Sequence, residues 1–530
     1  LKSLPVGDAV ADIDERKRPC QHVLNGSGVA VSIGIIHIEI WGLCVKLQNN
    51  DFSRCQENTT QHKLVLRLPS PGWTKSQLLD ATQGVCVFTV RPDLFYWRRC
   101  ALVFIASVAF CDGASADVIN VGTREWADAA RVGRADMLIL GDSMVAHEGY
   151  GWDGGFNDAF TKNLGIAGSG LISGNSGVDG QGFAIGAFYG SPWSSDPAAV
   201  PANRQGYVWR GAASTIGPNA TGQYFASISG STLRSTTGYD WNLYTASPPG
   251  GGSLSASSRL ASPPYTTINT LGPVAIATPA AGLDKVSLHF DAPGSDTELD
   301  LQNTSNTSIL YSRVSAPGQT GVTVTSWGYG GASTLRFLTD QWNGQGMTAE
   351  GRTAWFNALT DGGSGKLNVL LAEGLNDRNE RLPSAHGITP GYSTAAFMDN
   401  LTTLIAEIRN SWAAAGHAPS DLSFTLLGSY HEGYEGDSYG PLRDFAAAEA
   451  QLALSDPSIS AIDLGARGIS YDQAVANGWM VDEVHASISG TQAYAQIVAD
   501  ALVPEPACLS VVLLGFGLLR RRSRSANLRA

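Results

Sequence analysis

Apolar positions between Asp136 and Leu502 alternate between two textures. Short unbroken runs stand at Asp136–Leu140, Leu367–Ala372, Leu422–Leu427 and Ile459–Leu464. Such runs suit strands buried on both faces of a parallel sheet. Longer segments with three-to-four spacing lie between them. Ala395–Ala415 sets Phe397, Leu401, Leu404, Ile405 and Ile408 along one helical face. Pro441–Leu454, with proline at its first position, and Gly490–Leu502 read as further helices. Met144–Leu164 is helix-compatible but interrupted by glycines, and Gly165–Gly170 follows as a glycine-rich turn. Strands alternating with helices predict an α/β domain on a parallel sheet.

From about 190 to 345 the helical period disappears. Gln223–Ser229, Lys285–Asp291, Glu298–Gln302, Ile309–Val314, Gly321–Trp327 and Thr334–Leu338 are short alternating runs, punctuated by Gly, Ser, Pro and Asn. They predict an all-β, sandwich-like domain. The α/β pattern resumes afterwards, so this domain reads as an insertion.

Composition changes the picture mainly at the ends. The chain has 530 residues, 43% of them hydrophobic, a mean hydropathy of −0.04 and a net charge of −12. The acid excess lies in the centre, which argues against nucleic acid as the main partner. All seven cysteines lie outside 117–506, so the centre has no disulfide and no thiolate metal site. Arg98-Arg99, the apolar run Cys100–Cys111 and Ala114-Ser115-Ala116 have the layout of a secretory signal peptide. Residues 1–90, upstream of it, show no clear period; they read as a spurious extension of the reading frame. At the other end stand Val503-Pro504-Glu505-Pro506, the apolar stretch Ala507–Leu519 and Arg520-Arg521-Arg522. This is similar to a PEP-CTERM sorting signal. The resemblance implies export to the cell surface or medium, transient membrane retention and processing by an exosortase in a Gram-negative-type bacterium. The expected division is 1–90 extension, 91–116 signal peptide, 117–189 first part of the α/β domain, 190–345 β insertion, 346–502 second part and 503–530 sorting signal.

The candidate chemistry is that of a serine hydrolase, which needs a hydroxyl, an imidazole to take its proton, an acid to orient that imidazole, and oxyanion donors. Ser143, in Gly141-Asp142-Ser143, follows an apolar strand, and open α/β sheets bind ligands at the carboxyl ends of their strands. Asp482 and His485 are three residues apart just before the last helix, so one loop supplies acid and base.

These blocks resemble the SGNH (GDSL) hydrolases. Gly141-Asp142-Ser143 matches the block that carries the nucleophile. Gly168, with Gly165 as the alternative, fits the glycine of the second block. Gly374-Leu375-Asn376-Asp377 fits the third block, and Asp482-x-x-His485 the fifth. The resemblance implies a flavodoxin-like three-layer α/β/α fold. It also implies a Ser143–His485–Asp482 triad and an oxyanion hole from the Ser143 and Gly168 amides and the Asn376 side chain. The β insertion, expected between the second and third blocks, departs from the family pattern.

Several features stand outside this assignment. Gly436-Asp437-Ser438-Tyr439-Gly440 fits a nucleophile elbow, but Ser438 lies well past the strand end at Leu427, and a turn or cap before Pro441 is the better reading. His147, His289, His386, His417 and His431 read as structural or surface groups, although His147 and His431 are near enough in sequence to line the pocket. Asp142 and Asp377 read as loop-bracing acceptors. Asp291, Asp296, Glu298 and Asp300 read as solvated charge, with calcium as the alternative. No metal or cofactor motif is present. The expectation is an exported esterase acting on acylated, chiefly acetylated, carbohydrate. Acyl transfer would use the same residues, and a non-catalytic glycan-binding matrix protein is the alternative.

Overall fold

The computed structural model describes short strands within the first 110 residues and residues 118–503 with interruptions, the longest at 195–213. The chain divides into two units, Leu1–Phe110 and Cys111–Ala530. In the first, β1 (Ala30–Ile33), β2 (Ile36–Glu39), β3 (Lys63–Arg67) and β4 (Val87–Thr89) form an antiparallel sheet in chain order. The expected signal peptide and, beyond Val503, the expected sorting signal lie outside the described residues.

The second unit begins with β5 (Val118–Ile119), α1 (Arg124–Val132), β6 (Arg134–Gly141), α2 (Ser143–Ala146) and α3 (Trp152–Asn163). After the β-rich region come β19 (Gly321–Gly328), α4 (Thr334–Arg336), continuing as a π-helical stretch over Phe337–Trp342, and α5 (Ala349–Leu359). Then follow β20 (Leu367–Ala372), α6 (Thr394–Ala414), β21 (Leu422–Gly428), α7 (Glu435–Ser455) and β22 (Ile459–Asp463). The described chain closes with α8 (Leu464–Arg467), α9 (Tyr471–Ala476) and α10 (Ile488–Leu502).

The main sheet has the order β19-β6-β20-β21-β22-β5. Its first five strands are parallel, and β5 is antiparallel to β22. Numbered along the chain, the parallel strands run 2-1-3-4-5, one of the two common doubly wound orders. The order reverses between β6 and β20, the kind of point at which doubly wound sheets bind ligands. The strands form because they are almost wholly apolar and buried on both sides: β6, β20 and β21 each bury every residue except Arg134, which is half-buried. One core holds Leu138, Leu140, Val369, Leu371, Phe424 and Leu426 from the sheet with Phe156, Phe160, Trp355, Phe397, Phe445 and Val498 from the helices.

The β-rich region is built from β7 (Ile172–Ser173), β8 (Gly177–Val178), β9 (Ala184–Phe188), β10 (Trp193–Ser194), β11 (Ser214–Ile216) and β12 (Gly222–Ser227). It continues with β13 (Tyr239–Ala246), β14 (Gly252–Leu260), β15 (Thr267–Ile276), β16 (Asp284–Phe290), β17 (Thr297–Asn303) and β18 (Thr307–Ser315). They form two antiparallel sheets, β10-β11-β18-β13-β16 with β7 paired to β18, and β15-β14-β17-β12-β9-β8. A separate apolar core includes Trp241, Leu243, Leu254, Leu288, Phe290, Leu299 and Val314 from both sheets.

Two runs expected in this region belong elsewhere. Gly321–Trp327 is not part of the sandwich: it is β19, which pairs in parallel with β6 over its whole length. Thr334–Leu338 is helical, capped by the Ser333 side chain. The inserted strands therefore interrupt the first crossover, between α3 and β19. Helix α7 also starts at Glu435, six residues before the expected Pro441. Ser438 thus belongs to the helix's first turn and not to a turn preceding it.

Candidate active site

The strand β6 delivers Ser143. Gly141 ends the strand where a Cβ would meet Val145 Cγ2 at 2.5 Å and the Ala372 carbonyl at 2.6 Å, so only glycine lets β6 and β20 close here. Asp142 then turns the chain into α2. Its Oδ1 accepts the Met144 N–H at 2.9 Å, and its carbonyl accepts the Val145 N–H at 3.1 Å. Asp142 is fully buried, whereas Ser143 beside it is half-buried. Burial pushes the Asp142 carboxyl up to about 7, and the nearby Asp377 adds to it, against the opposing bonds from Met144 and Asn376.

Asp482 and His485 meet on the loop before α10. His485 Nδ1 lies 2.8 Å from Asp482 Oδ2. Asp482 Oδ1 accepts the Val484 N–H at 2.7 Å and the His485 N–H at 2.6 Å. Partial burial works against ionisation of this carboxyl, but those three donors and the imidazole's charge hold it at about 2. An ionised carboxylate can only accept, so the shared proton sits on Nδ1.

This loop is fixed to the carboxyl end of β21. The Tyr430 hydroxyl donates to the Val484 carbonyl at 2.6 Å and accepts the Ala486 N–H at 3.2 Å. The preceding Ser429 Oγ lies 3.9 Å from Met144 Sδ, beside the serine. β6 and β21 run parallel on either side of β20, so both segments occupy the same edge of the sheet. The Ser143 hydroxyl makes no hydrogen bond among the described residues.

The expected second-block glycine, Gly168, lies away from Ser143. Gly168 forms a bridge to Ser315 of the β-rich region, and a Cβ on it would lie 2.6 Å from the Val314 carbonyl. Ile166 pairs with Val322 and Leu171 donates to Thr325 Oγ1, so this segment runs beside the first half of β19. Val324 is the partner of Met137 in β6, which leaves Gly168 about four residues, or ~13 Å, short of Gly141. Its glycine is explained by the approach of Ser315. The alternative, Gly165, lies lower still, a Cβ there meeting the Thr320 carbonyl at 3.0 Å.

Another loop, which leaves β19, reaches Gly141, two residues before Ser143. Tyr329 N–H donates to the Gly141 carbonyl at 2.8 Å, and Gly330-Gly331 follow with open space where their Cβ atoms would be. Asn376 holds this loop: its Nδ2 donates to the Ala332 carbonyl at 2.9 Å and to Asp142 Oδ2 at 3.1 Å. Both hydrogens of the amide are thereby used. Asp377 Oδ2 accepts the Thr334 N–H at 2.9 Å and its hydroxyl at 3.0 Å, fixing the far end of the same loop. Gly330 and Gly331 went unnoticed in the sequence. The available signal was their place directly after the apolar run Gly321–Trp327.

Three acids lie beneath the site. Burial, then Asp142 and Asp377, raises the Glu373 carboxyl well above the ordinary range. Burial likewise raises Asp377, to about 6. The other described histidines are engaged elsewhere: His289 with Asp240, His386 with Asp399, and His417 stacked on Trp412. His147 and His431 lie outside the described residues, as does Asp296. Asp291 accepts from Asn269, and Glu298 pairs with Arg259. A 340 Å³ cavity lined by Arg134, Lys285 and Asp361 opens at the amino end of β6, at the other end of the strand from Ser143. Among the described residues no helix is long and apolar enough to cross a membrane.

No protein-family model matches this chain, and no curated protein matches it. Among solved structures, one of a peptidoglycan O-acetylesterase is similar at 13% identity and a TM-score of 0.48, covering 73% of this chain and 97% of that one. A family two carbohydrate esterase from Cellvibrio japonicus is similar at 12% identity and a TM-score of 0.25, covering 61% and 98%. Another from Clostridium thermocellum shows 9% identity and a TM-score of 0.23, covering 59% and 97%.

Proposed function

We propose that this chain is a serine ester hydrolase of the SGNH type, acting on acetyl or other short acyl esters of polysaccharide. The observation that carries the reading is the Asp482–His485 pair at 2.8 Å, held by Tyr430 against the sheet edge from which Ser143 projects. A scaffold that merely bound glycan would have no need of an imidazole locked to an acid on a loop fixed to this end of the sheet.

In this mechanism His485 Nε2 takes the Ser143 hydroxyl proton as Oγ attacks the ester carbonyl. Asp482, ionised at any pH above about 2, holds the ring and stabilises its positive charge. The resulting oxyanion is met by the Ser143 amide and by an amide of the Gly330–Gly331 loop, each such donor being worth about 3 kcal/mol. Asn376 keeps that loop in place, and joins the oxyanion only by exchanging one of its two present bonds. The imidazolium then returns the proton to the departing alkoxide, leaving an acyl-Ser143. Water, deprotonated by His485, releases the acid and regenerates the serine.

The substrate class follows from the inserted sandwich and the proposed export. A secreted enzyme, retained at the membrane and processed by an exosortase, would meet acylated surface polysaccharide. No cofactor enters these steps.

The test is Ser143→Ala with a short-chain aryl acetate and a fluorophosphonate probe. Activity should fall by about 10⁴-fold or more, and labelling of the wild type should map to Ser143. Glycan binding without labelling would favour the non-catalytic alternative.

A further inference from the structure

Building on the reading of His485 as the proton acceptor, we propose that Tyr430 is a positioning residue that sets the distance between imidazole and nucleophile. Its hydroxyl grips the two peptide groups that flank His485, donating to the Val484 carbonyl and accepting the Ala486 N–H. Those bonds leave the ring between them little freedom to translate. The phenol does both because a hydroxyl is donor and acceptor at once.

The grip is itself anchored. Tyr430 is 1% exposed, and its ring lies flat on Tyr494 of α10, with centroids 4.6 Å apart and 7° between the planes. Tyr494 meets the edge of Trp479 at 5.6 Å. The Trp479 carbonyl accepts the Ser487 N–H at 2.7 Å and so closes the base of the loop. Asp482 is half-exposed at the loop's tip. On the other side Ser429 touches Met144, the residue after the nucleophile. One dipeptide at the end of β21 therefore contacts the neighbours of both reacting groups. Burial, with the nearby Tyr494 and Asp142, keeps the phenol protonated across the working range of an esterase.

The experiment compares wild type, Tyr430→Phe, His485→Ala and the double variant in the full chain, with p-nitrophenyl acetate. Tyr430→Phe keeps the buried ring and loses both bonds. It should lower kcat about 10- to 100-fold, as expected for a catalytic group displaced by about 1 Å, and leave KM within about twofold. In the His485→Ala background the same substitution should cost nothing further, because the group it positions is gone. A purely structural role would reduce both backgrounds alike, and that result overturns the proposal, as does an unchanged kcat. Full activity in His485→Ala alone would instead remove the esterase mechanism itself, a failure visible without Tyr430. Circular dichroism and the melting temperature of each variant establish that the compared proteins are folded.

Discussion

The seam between the inserted sandwich and the parallel sheet depends on one buried charge cluster, and Asp136→Asn tests it. Asp136 is wholly buried near the start of β6 and accepts from Arg313 Nη2 at 3.1 Å and Thr323 Oγ1 at 2.5 Å. Arg134 Nε stands 3.5 Å from the same oxygen. Arg313 comes from β18 of the sandwich, is itself wholly buried, and also donates to the Ala358 carbonyl at 3.3 Å. Burial and the proximity of Arg134 already strain its charge, and Asp136 offsets them most, with smaller help from Tyr244 and Asp361. Asparagine keeps the shape, so no cavity opens; it leaves two neighbouring guanidiniums without their anion. Removing one partner of a buried pair costs about 3–5 kcal/mol. Because the asparagine oxygen still accepts, the lower figure, about 3 kcal/mol, is expected. With a urea m-value of about 3 kcal/mol/M, the midpoint should fall by about 1 M. Tryptophan fluorescence follows both cores, through Trp355 in the α/β part and Trp241 in the sandwich. Arg313→Met added to Asp136→Asn removes the stranded guanidinium and should recover much of the loss. A shift of less than about 0.3 M, or a double variant weaker than the single one, would refute the electrostatic account.

Gly490→Ala should disturb the same loop from the opposite side. A Cβ there would lie 2.0 Å from the Trp479 carbonyl, so the loop carrying His485 must move; a kcat loss of about 10-fold or more is expected, and unchanged kinetics would count against the packing described. Stability should also decline as pH rises through neutrality. The folded-state Asp142 and Asp377 carboxyls lie at about 7 and about 6, above the ordinary 3.8, so their contribution is full below that value and lost as pH climbs through 6 to 7. Asp142→Asn cannot ionise, so its urea midpoint should drop less than that of the wild type between about pH 5 and about pH 8; equal drops would contradict the burial effect.

Much of the parallel sheet was legible because its strands are buried on both faces. Leu367–Ala372 was read with its observed bounds, and the strands beginning at Leu422 and Ile459 to within one residue, since polar loops bound each apolar run. The Asp482–His485 pair was legible because its two members are close in sequence. Tyr430 was not: its role comes from bonds to Val484 and Ala486, more than fifty positions away, and an aromatic residue after a strand has no distinguishing pattern. Within the sandwich, β13, β14 and β15 escaped notice. Asn242, Ser253, Ser257 and Asn269 interrupt their apolar positions, and their pairing is set by partners rather than by period.

The misplacement of the second glycine has a single structural cause. In an uninterrupted doubly wound fold, a glycine turn soon after α3 would lead straight into the next strand beside β6. Here that turn leads into the sandwich, and the crossover is completed only at Gly321. Gly168 is thus a glycine of the exit from the α/β domain, shaped by Ser315 on the returning strand. The loop equivalent in position to the expected one comes after β19, where Tyr329 bonds Gly141 and Asn376 bonds Ala332. The alternation of Gly321–Trp327 resembles that of the preceding sandwich strands, yet it is buried between α3 and its neighbours beside β6. Local pattern cannot separate a last sandwich strand from a first returning sheet strand when both are short and β-branched. Their partners decide: β18 pairs antiparallel with β13, and β19 pairs parallel with β6. The insertion therefore does more than lengthen a loop, because the chain that leaves it is the same chain that brings Tyr329 to the Gly141 carbonyl, two residues before Ser143.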